Sequence, residues 1–248
     1  MNIKMKSLSL AVLGLTAFAF AGSASAACVQ GNLSAWSATQ ALGGTVTVVA
    51  GGLNTPPSEC RINTALTANS GGSAAAVRDD TPANEGRYRA QFLINVDALA
   101  GINGLQGVKL FTLTTAAPSQ SIPDVLTLSL SGNAPGTNKI LGISVVDTAS
   151  AGLLYKKSST ASLTGLTGTI RVEVDYLKGA SGYVKVWVNN TTEATPTTTI
   201  TADTNAWGGV DTAVLGLTTA NSGFRGAHLN KIVQFDQFDS RRQTFIGG

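Results

Sequence analysis

Polar and apolar residues alternate with a period of two along much of this chain, and that pattern constrains its fold more than any other feature. Such a segment can put one face on a core and the other toward water only as a β-strand. The clearest case runs from Arg87 to Asp97. Tyr88, Ala90, Phe92, Ile94 and Val96 share one parity; Arg87, Arg89, Gln91, Asn95 and Asp97 share the other, with Leu93 the exception. Ile170, Val172, Val174 and Tyr176 alternate in the same way with Arg171, Glu173 and Asp175. Val184, Val186 and Val188 alternate with Tyr183, Lys185, Trp187 and Asn189. Between these last two runs, Lys178-Gly179-Ala180-Ser181-Gly182 reads as a hairpin loop.

Further strands are expected at Thr45–Ala50, Arg61–Thr67, Val108–Thr114, Val125–Ser131, Leu141–Val146, Leu153–Lys157, Thr197–Thr201, Ala213–Thr218 and Lys231–Phe238. Turn-forming stretches separate them: Asn54-Thr55-Pro56-Pro57, Gly132-Asn133-Ala134-Pro135-Gly136 and Trp207-Gly208-Gly209. Ser34–Gln40 reads as a short helical turn. Many short strands without βαβ alternation predict an all-β, antiparallel sandwich or barrel. Strand spacing is irregular, which excludes a solenoid repeat.

The first residues have the three parts of a secretory leader. Lys4 and Lys6 are basic, Leu8–Phe20 is apolar and uncharged, and Ala24-Ser25-Ala26 offers small residues for cleavage. Residues 1–26 are therefore expected to be a signal peptide, and 27–248 one domain. The apolar run falls short of the about 20 residues a membrane span needs. An uncleaved anchor and lipidation of Cys28 are the alternatives; Ser25 stands where a lipoprotein signal has an aliphatic residue. Losing Lys4 and Lys6 takes the basic count from 17 to 15 against 14 acidic residues. The residual charge gives no argument for nucleic acid as a partner. No later apolar run is long enough to span a bilayer. A periplasmic or extracellular protein is expected.

Cys28 and Cys60 are the two cysteines. In an oxidising compartment such a pair forms a disulfide. Closing a loop of about 33 residues stabilises a fold by roughly 3–4 kcal/mol in the chain-entropy model. The one histidine, His228, is distant in sequence, which argues against a zinc site.

Several stretches together resemble secreted bacterial LamG-like, concanavalin A-like jelly-roll proteins. Residues Arg78 to Phe92 place an acidic pair and Pro82 before a strand beginning Arg87-Tyr88-Arg89. Gly168–Tyr176, Val184–Asn190, Val210–Leu217 and Val233–Arg242 are similar to later strands of that family. The resemblance covers residues 74–242. It implies a jelly-roll β-sandwich and a place among lectins, glycosidases, polysaccharide lyases or adhesive modules.

The chemistry is sparser. Glu173-x-Asp175 matches part of an E-x-D-x-x-E glycosidase pattern on this fold, but Lys178 occupies the third position. The plain reading is the polar face of a half-buried strand. His228 has no nucleophile elbow near it. Asp79, Asp80 and Glu85 could offer oxygens to calcium, or pair with Arg78, Arg87 and Arg89. Asp236 and Asp239 are expected to pair with Arg241, Arg242 or arginines across the sheet. Trp187, Tyr183 and Asn189 lie on polar parity with Lys185, and Trp207 beside Gly208-Gly209 could reach the same rim. These four are the candidate glycan platform, unless a loop covers Trp187. The sequence thus predicts an exported, non-catalytic protein binding a glycan or an extracellular partner protein. A carbohydrate-active enzyme, glycosidase or polysaccharide lyase, is the alternative, and a purely structural or adhesive surface protein another.

Overall fold

The computed structural model describes residues 28–54, 60–116, 124–133, 138–148 and 155–247. The leader, the last three residues of the expected Asn54–Pro57 and Gly132–Gly136 turns, and the start of the Leu153–Lys157 strand lie outside them. Among the described residues, fourteen strands form two antiparallel sheets of seven. One sheet contains β1 (Ala38–Gln40), β4 (Ala75–Asp79), β6 (Gly107–Thr114), β7 (Asp124–Gly132), β8 (Lys139–Asp147), β9 (Tyr155–Ser162) and β13 (Thr212–Ala220), in the order β1-β4-β13-β6-β7-β8-β9. The other contains β2 (Gly44–Ala50), β3 (Cys60–Leu66), β5 (Arg87–Asn95), β10 (Thr169–Leu177), β11 (Gly182–Val188), β12 (Thr198–Ala202) and β14 (Val233–Arg241), in the order β12-β11-β10-β5-β14-β3-β2. The architecture is a jelly-roll β-sandwich: the alternation predicted an antiparallel sandwich or barrel, and the resemblance implied the jelly roll.

The inner faces follow the alternating apolar residues. Phe92, Val172, Val174, Val184 and Val186 from one sheet meet Phe111, Leu113, Leu126 and Leu128 from the other in one core. Phe92 is fully buried, with its ring 5.7 Å from that of Phe111 and 6.2 Å from that of Phe235. The expected hairpin joins β10 to β11 and sets Val174 opposite Val186 and Glu173 opposite Trp187. Gly182 allows its close approach: a Cβ there would lie 2.6 Å from the Leu177 carbonyl oxygen.

Three details depart from the sequence reading. Ser34–Gln40 is not helical: its end, β1, pairs with β4 from Ala38↔Arg78 to Gln40↔Ala76. Strand β4 was missed because Ala75, Ala76 and Val77 are all buried, so the segment has no alternation to read. The short helix α1 (Ser222–Ala227) was also missed; Asn221 caps it, its side chain accepting from the Phe224 N–H.

Cys28 and Cys60 form the expected disulfide. It ties the first described residue to the start of β3, the strand next to edge strand β2. Among the described residues no helix is long and apolar enough to cross a membrane.

Truncating Phe92 to Ala should lower stability by about 3–5 kcal/mol, because it empties a site packed from both sheets. Val172→Asp should prevent folding by burying an unpaired charge. Urea denaturation followed by circular dichroism measures the first; a near-wild-type midpoint would mean the core is arranged otherwise.

Candidate functional site

The polar parity of β5, β10 and β11 faces away from the core. Antiparallel register brings its residues into rows across the sheet. Glu173 lies between Trp187 and Gln91, and Asp175 between Lys185 and Arg89. Arg171 is two residues before Glu173 and extends the same face. Sequence alone would leave these groups in water. Instead Glu173 and Asp175 are fully buried, and Arg89 and Arg171 are 2% and 9% exposed.

Asp175 anchors the cluster. Arg87 reaches it with two parallel bonds, Nε to Oδ1 at 3.0 Å and Nη2 to Oδ2 at 2.8 Å. Arg89 Nη2 adds a bond of 2.9 Å, and the Tyr183 hydroxyl donates at 3.2 Å. Burial alone would push this carboxyl upward, but the bonds from Arg87 and Arg89 hold it below the usual aspartate range. Arg89 also contacts Glu193, at 2.5 Å. Tyr183 is shifted up by burial and by the charge of Asp175.

Glu173 has a different environment. Burial pushes its carboxyl above the usual range, against the pull of two backbone N–H groups. Ile246 N donates to Oε1 at 2.9 Å and Gly247 N to Oε2 at 3.1 Å. These donors belong to the segment after β14, which crosses the outer face of the sheet. Phe245 on that segment packs on Trp187, ring centroids 5.2 Å apart. The Arg89 guanidinium lies 5.9 Å from the Trp187 ring and 5.7 Å from the Phe245 ring. Two carboxyl groups two residues apart are thus displaced in opposite directions.

The arginines are incompletely satisfied. Nε and Nη1 of Arg89 and Nη2 of Arg171 are buried without a hydrogen-bond partner among the described residues. Arg171 Nη1 reaches Gln91 only at 3.4 Å. A guanidinium cannot shed its charge, so buried N–H groups of this kind are suited to an anion.

Of the predicted platform residues, Tyr183 and Trp187 lie on β11, Asn189 directly after it and Trp207 in the loop after β12, and they do not form an open surface. Trp187 is 1% exposed; its Nε1 donates to Thr192 O at 3.1 Å under the loop after β11, and Phe245 covers the ring. Tyr183 belongs to the Asp175 cluster. Asn189 has a positive φ of 51°, and its Oδ1 accepts from Arg171 N, so it shapes the turn. Trp207 is buried in the end of the core and does not join Trp187 on the outer face.

The acidic trio Asp79, Asp80 and Glu85 is not drawn together. Asp79 accepts from Thr81 N, Asp80 pairs with Arg78 at 2.8 Å, and Glu85 pairs with Arg242 at 2.7 Å. Among the described residues no three His, Cys, Asp or Glu are placed to hold a metal ion. Asp239 pairs with Arg241 as expected. Asp236 accepts from the Leu53 N–H and from the Gln237 N–H, each at 2.7 Å. His228 is a packed residue, bonded through Nε2 to Gln106 and stacked near Phe224. A cavity of about 790 Å³ opens elsewhere, between the Trp36 segment and β14, and includes none of the Glu173 cluster.

No protein-family model matches the chain, and no curated protein matches it. Solved structures do. An endo-β-1,4-glucuronan lyase from the fungus Trichoderma reesei superposes with a TM-score of 0.62 at 14% identity, covering 86% of this chain and 94% of the other. The alginate lyase Aly36B gives 0.52 at 15% identity, covering 79% and 88%. An alginate lyase from Pseudomonas aeruginosa gives 0.52 at 12% identity, covering 74% and 83%. At these identities the likeness establishes a shared jelly-roll sandwich.

The opposed shifts have opposite consequences for stability. Asp175 is depressed, so its contribution is complete above the usual aspartate range and is lost as pH falls through its lowered value. Glu173 is raised, so its charge opposes folding increasingly as pH climbs from the usual glutamate range through its raised value. Asp175→Asn should therefore lower stability at neutral pH by about 3 kcal/mol, because buried Arg89 loses its main partner. It should also flatten the acid limb of the stability curve. Urea midpoints across acid and neutral pH test this; an unchanged midpoint at neutral pH would refute the ion-cluster assignment.

Proposed function

We propose that this is an exported carbohydrate-active protein of the polysaccharide-lyase kind, receiving an acidic polysaccharide on the outer face of β5, β10 and β11. The observation that carries the reading is the pair of buried arginines, Arg89 and Arg171, with donor nitrogens left unpaired beside Glu173. A uronate carboxylate is a planar acceptor of the size and charge such forks bind. The shared fold with glucuronan and alginate lyases supports the same substrate class, as does the predicted leader for a protein meeting polysaccharide outside the cell.

The chemistry available is that of β-elimination. A cation against the uronate carboxylate stabilises the negative charge that develops when the neighbouring C–H proton leaves. A base must take that proton, and an acid must protonate the departing sugar oxygen. Tyr183, whose hydroxyl donates to the Asp175 carboxylate, carries a proton it can give to the departing oxygen. Glu173, whose proton affinity burial raises, has the chemistry of the base that takes the C–H proton. Non-catalytic glycan binding is the second reading, favoured by the full engagement of Asp175 by three protein side chains.

The mature protein should bind glucuronan or alginate and leave neutral glucans unbound. Ultraviolet absorbance of the unsaturated product reports elimination, and affinity electrophoresis reports binding without it. Arg171→Gln should weaken binding about tenfold or more, the loss of one charge-assisted contact. Equal retention by neutral and acidic glycans, or full binding by a folded Arg171→Gln, would refute the site.

A further inference from the structure

From the contacts around Glu173 we infer that Phe245–Gly247 is a displaceable strap, occupying the position a sugar must take over Glu173 and Trp187. The inference rests on the proposed glycan site and adds its regulation. The strap satisfies the two demands a bound sugar would otherwise meet. Its N–H groups at Ile246 and Gly247 bond both oxygens of Glu173, as sugar hydroxyls would. Its Phe245 ring lies against Trp187, where the apolar face of a pyranose would stack.

Its attachment is slight. Residues 242–247 form no strand pairing, and Gln243 and Thr244 are exposed. Arg242 is fastened upstream to Glu85, which gives the segment a fixed root. The strap also leaves particular arginine donors unanswered. It brings N–H donors to Glu173 but no acceptor to Arg89 Nε and Nη1 or Arg171 Nη2. An anionic sugar supplies hydroxyl donors and a carboxylate together, and so has an advantage over the strap that a neutral sugar lacks.

The test compares the full mature chain with a form ending at Gln243 and with Ile246→Pro, which removes one N–H to Glu173 and keeps the chain length. The probe is a short glucuronan oligosaccharide, titrated calorimetrically. Both altered forms should bind about tenfold tighter than wild type, equivalent to about 1.4 kcal/mol. In the wild type, hydrogen exchange at the Ile246 and Gly247 amides should accelerate when the oligosaccharide is added. Equal affinity in all three forms, or amides that stay protected at saturation, would overturn the strap and leave the glycan site standing. Failure of all three to bind any acidic oligosaccharide would overturn the glycan site and the strap with it.

Discussion

A β-strand has two faces, and the core takes one of each in the β5-β10-β11 layer. Once Phe92, Val172, Val174, Val184 and Val186 turn inward, Arg89, Gln91, Arg171, Glu173, Asp175 and Trp187 must all turn outward together. A register slip by one residue would exchange the two sets and bury four charges in the core. The packing that fixes the fold is therefore the same constraint that assembles the charged cluster, and the cluster cannot drift without unmaking the sandwich.

What the fold does not dictate is that this outer face be dry. Burial comes from the loop after β11, which brings Glu193 and the Thr192 carbonyl over the sheet, and from the segment after β14. Removing charges from water carries a penalty of several kcal/mol per ion after relaxation, and good geometry only roughly offsets it. Asp175 meets that requirement through the two-bond fork from Arg87 and the contact from Arg89. Glu173, with backbone donors only, and Arg171, with one distant partner, do not. Hydrophobic residues could fill the same space at less cost. Retaining incompletely paired charges under a removable cover is better suited to exchanging ligands than to holding a fold together.

The alternating strands and the disulfide were legible because each depends on local pattern or on simple counting; β1 and the uniformly buried β4 were not. The burial of Glu173 was not, because it is caused by residues 73 and 74 positions away in a segment with no period. The same reason explains Trp187. Parity placed it on the outer face correctly, but the ring is closed off by Phe245, which nothing nearby in sequence announces. Arg89 and Arg171 carried a readable signal: polar parity on two adjacent long strands. Their importance emerged only when register set Arg89 beside Asp175 and left donors of both arginines unpaired. The acidic trio failed in the opposite way. Proximity in sequence suggested a shared site, yet each carboxylate has its own partner.

Phe245 can reach Trp187 at all because of an irregularity in β14. Between Asp236 and Asp239 the strand carries one residue more than its partner β5, and Gln237 sits there at φ 47°. Period two would put Phe235 and Phe238 on opposite faces. The extra residue lets both turn inward, Phe235 against Phe92 and Phe238 against Trp36. It also resets the strand so that Arg241 ends opposite Arg89. Four residues of extended chain then span at most about 14 Å. The three steps from β14 across β5 and β10 to β11 total about 14 Å at the usual strand spacing. Phe245 is thus close to the first residue able to touch the ring on β11. The bulge that completes the core at Phe238 also determines where the chain begins its crossing over the charged face.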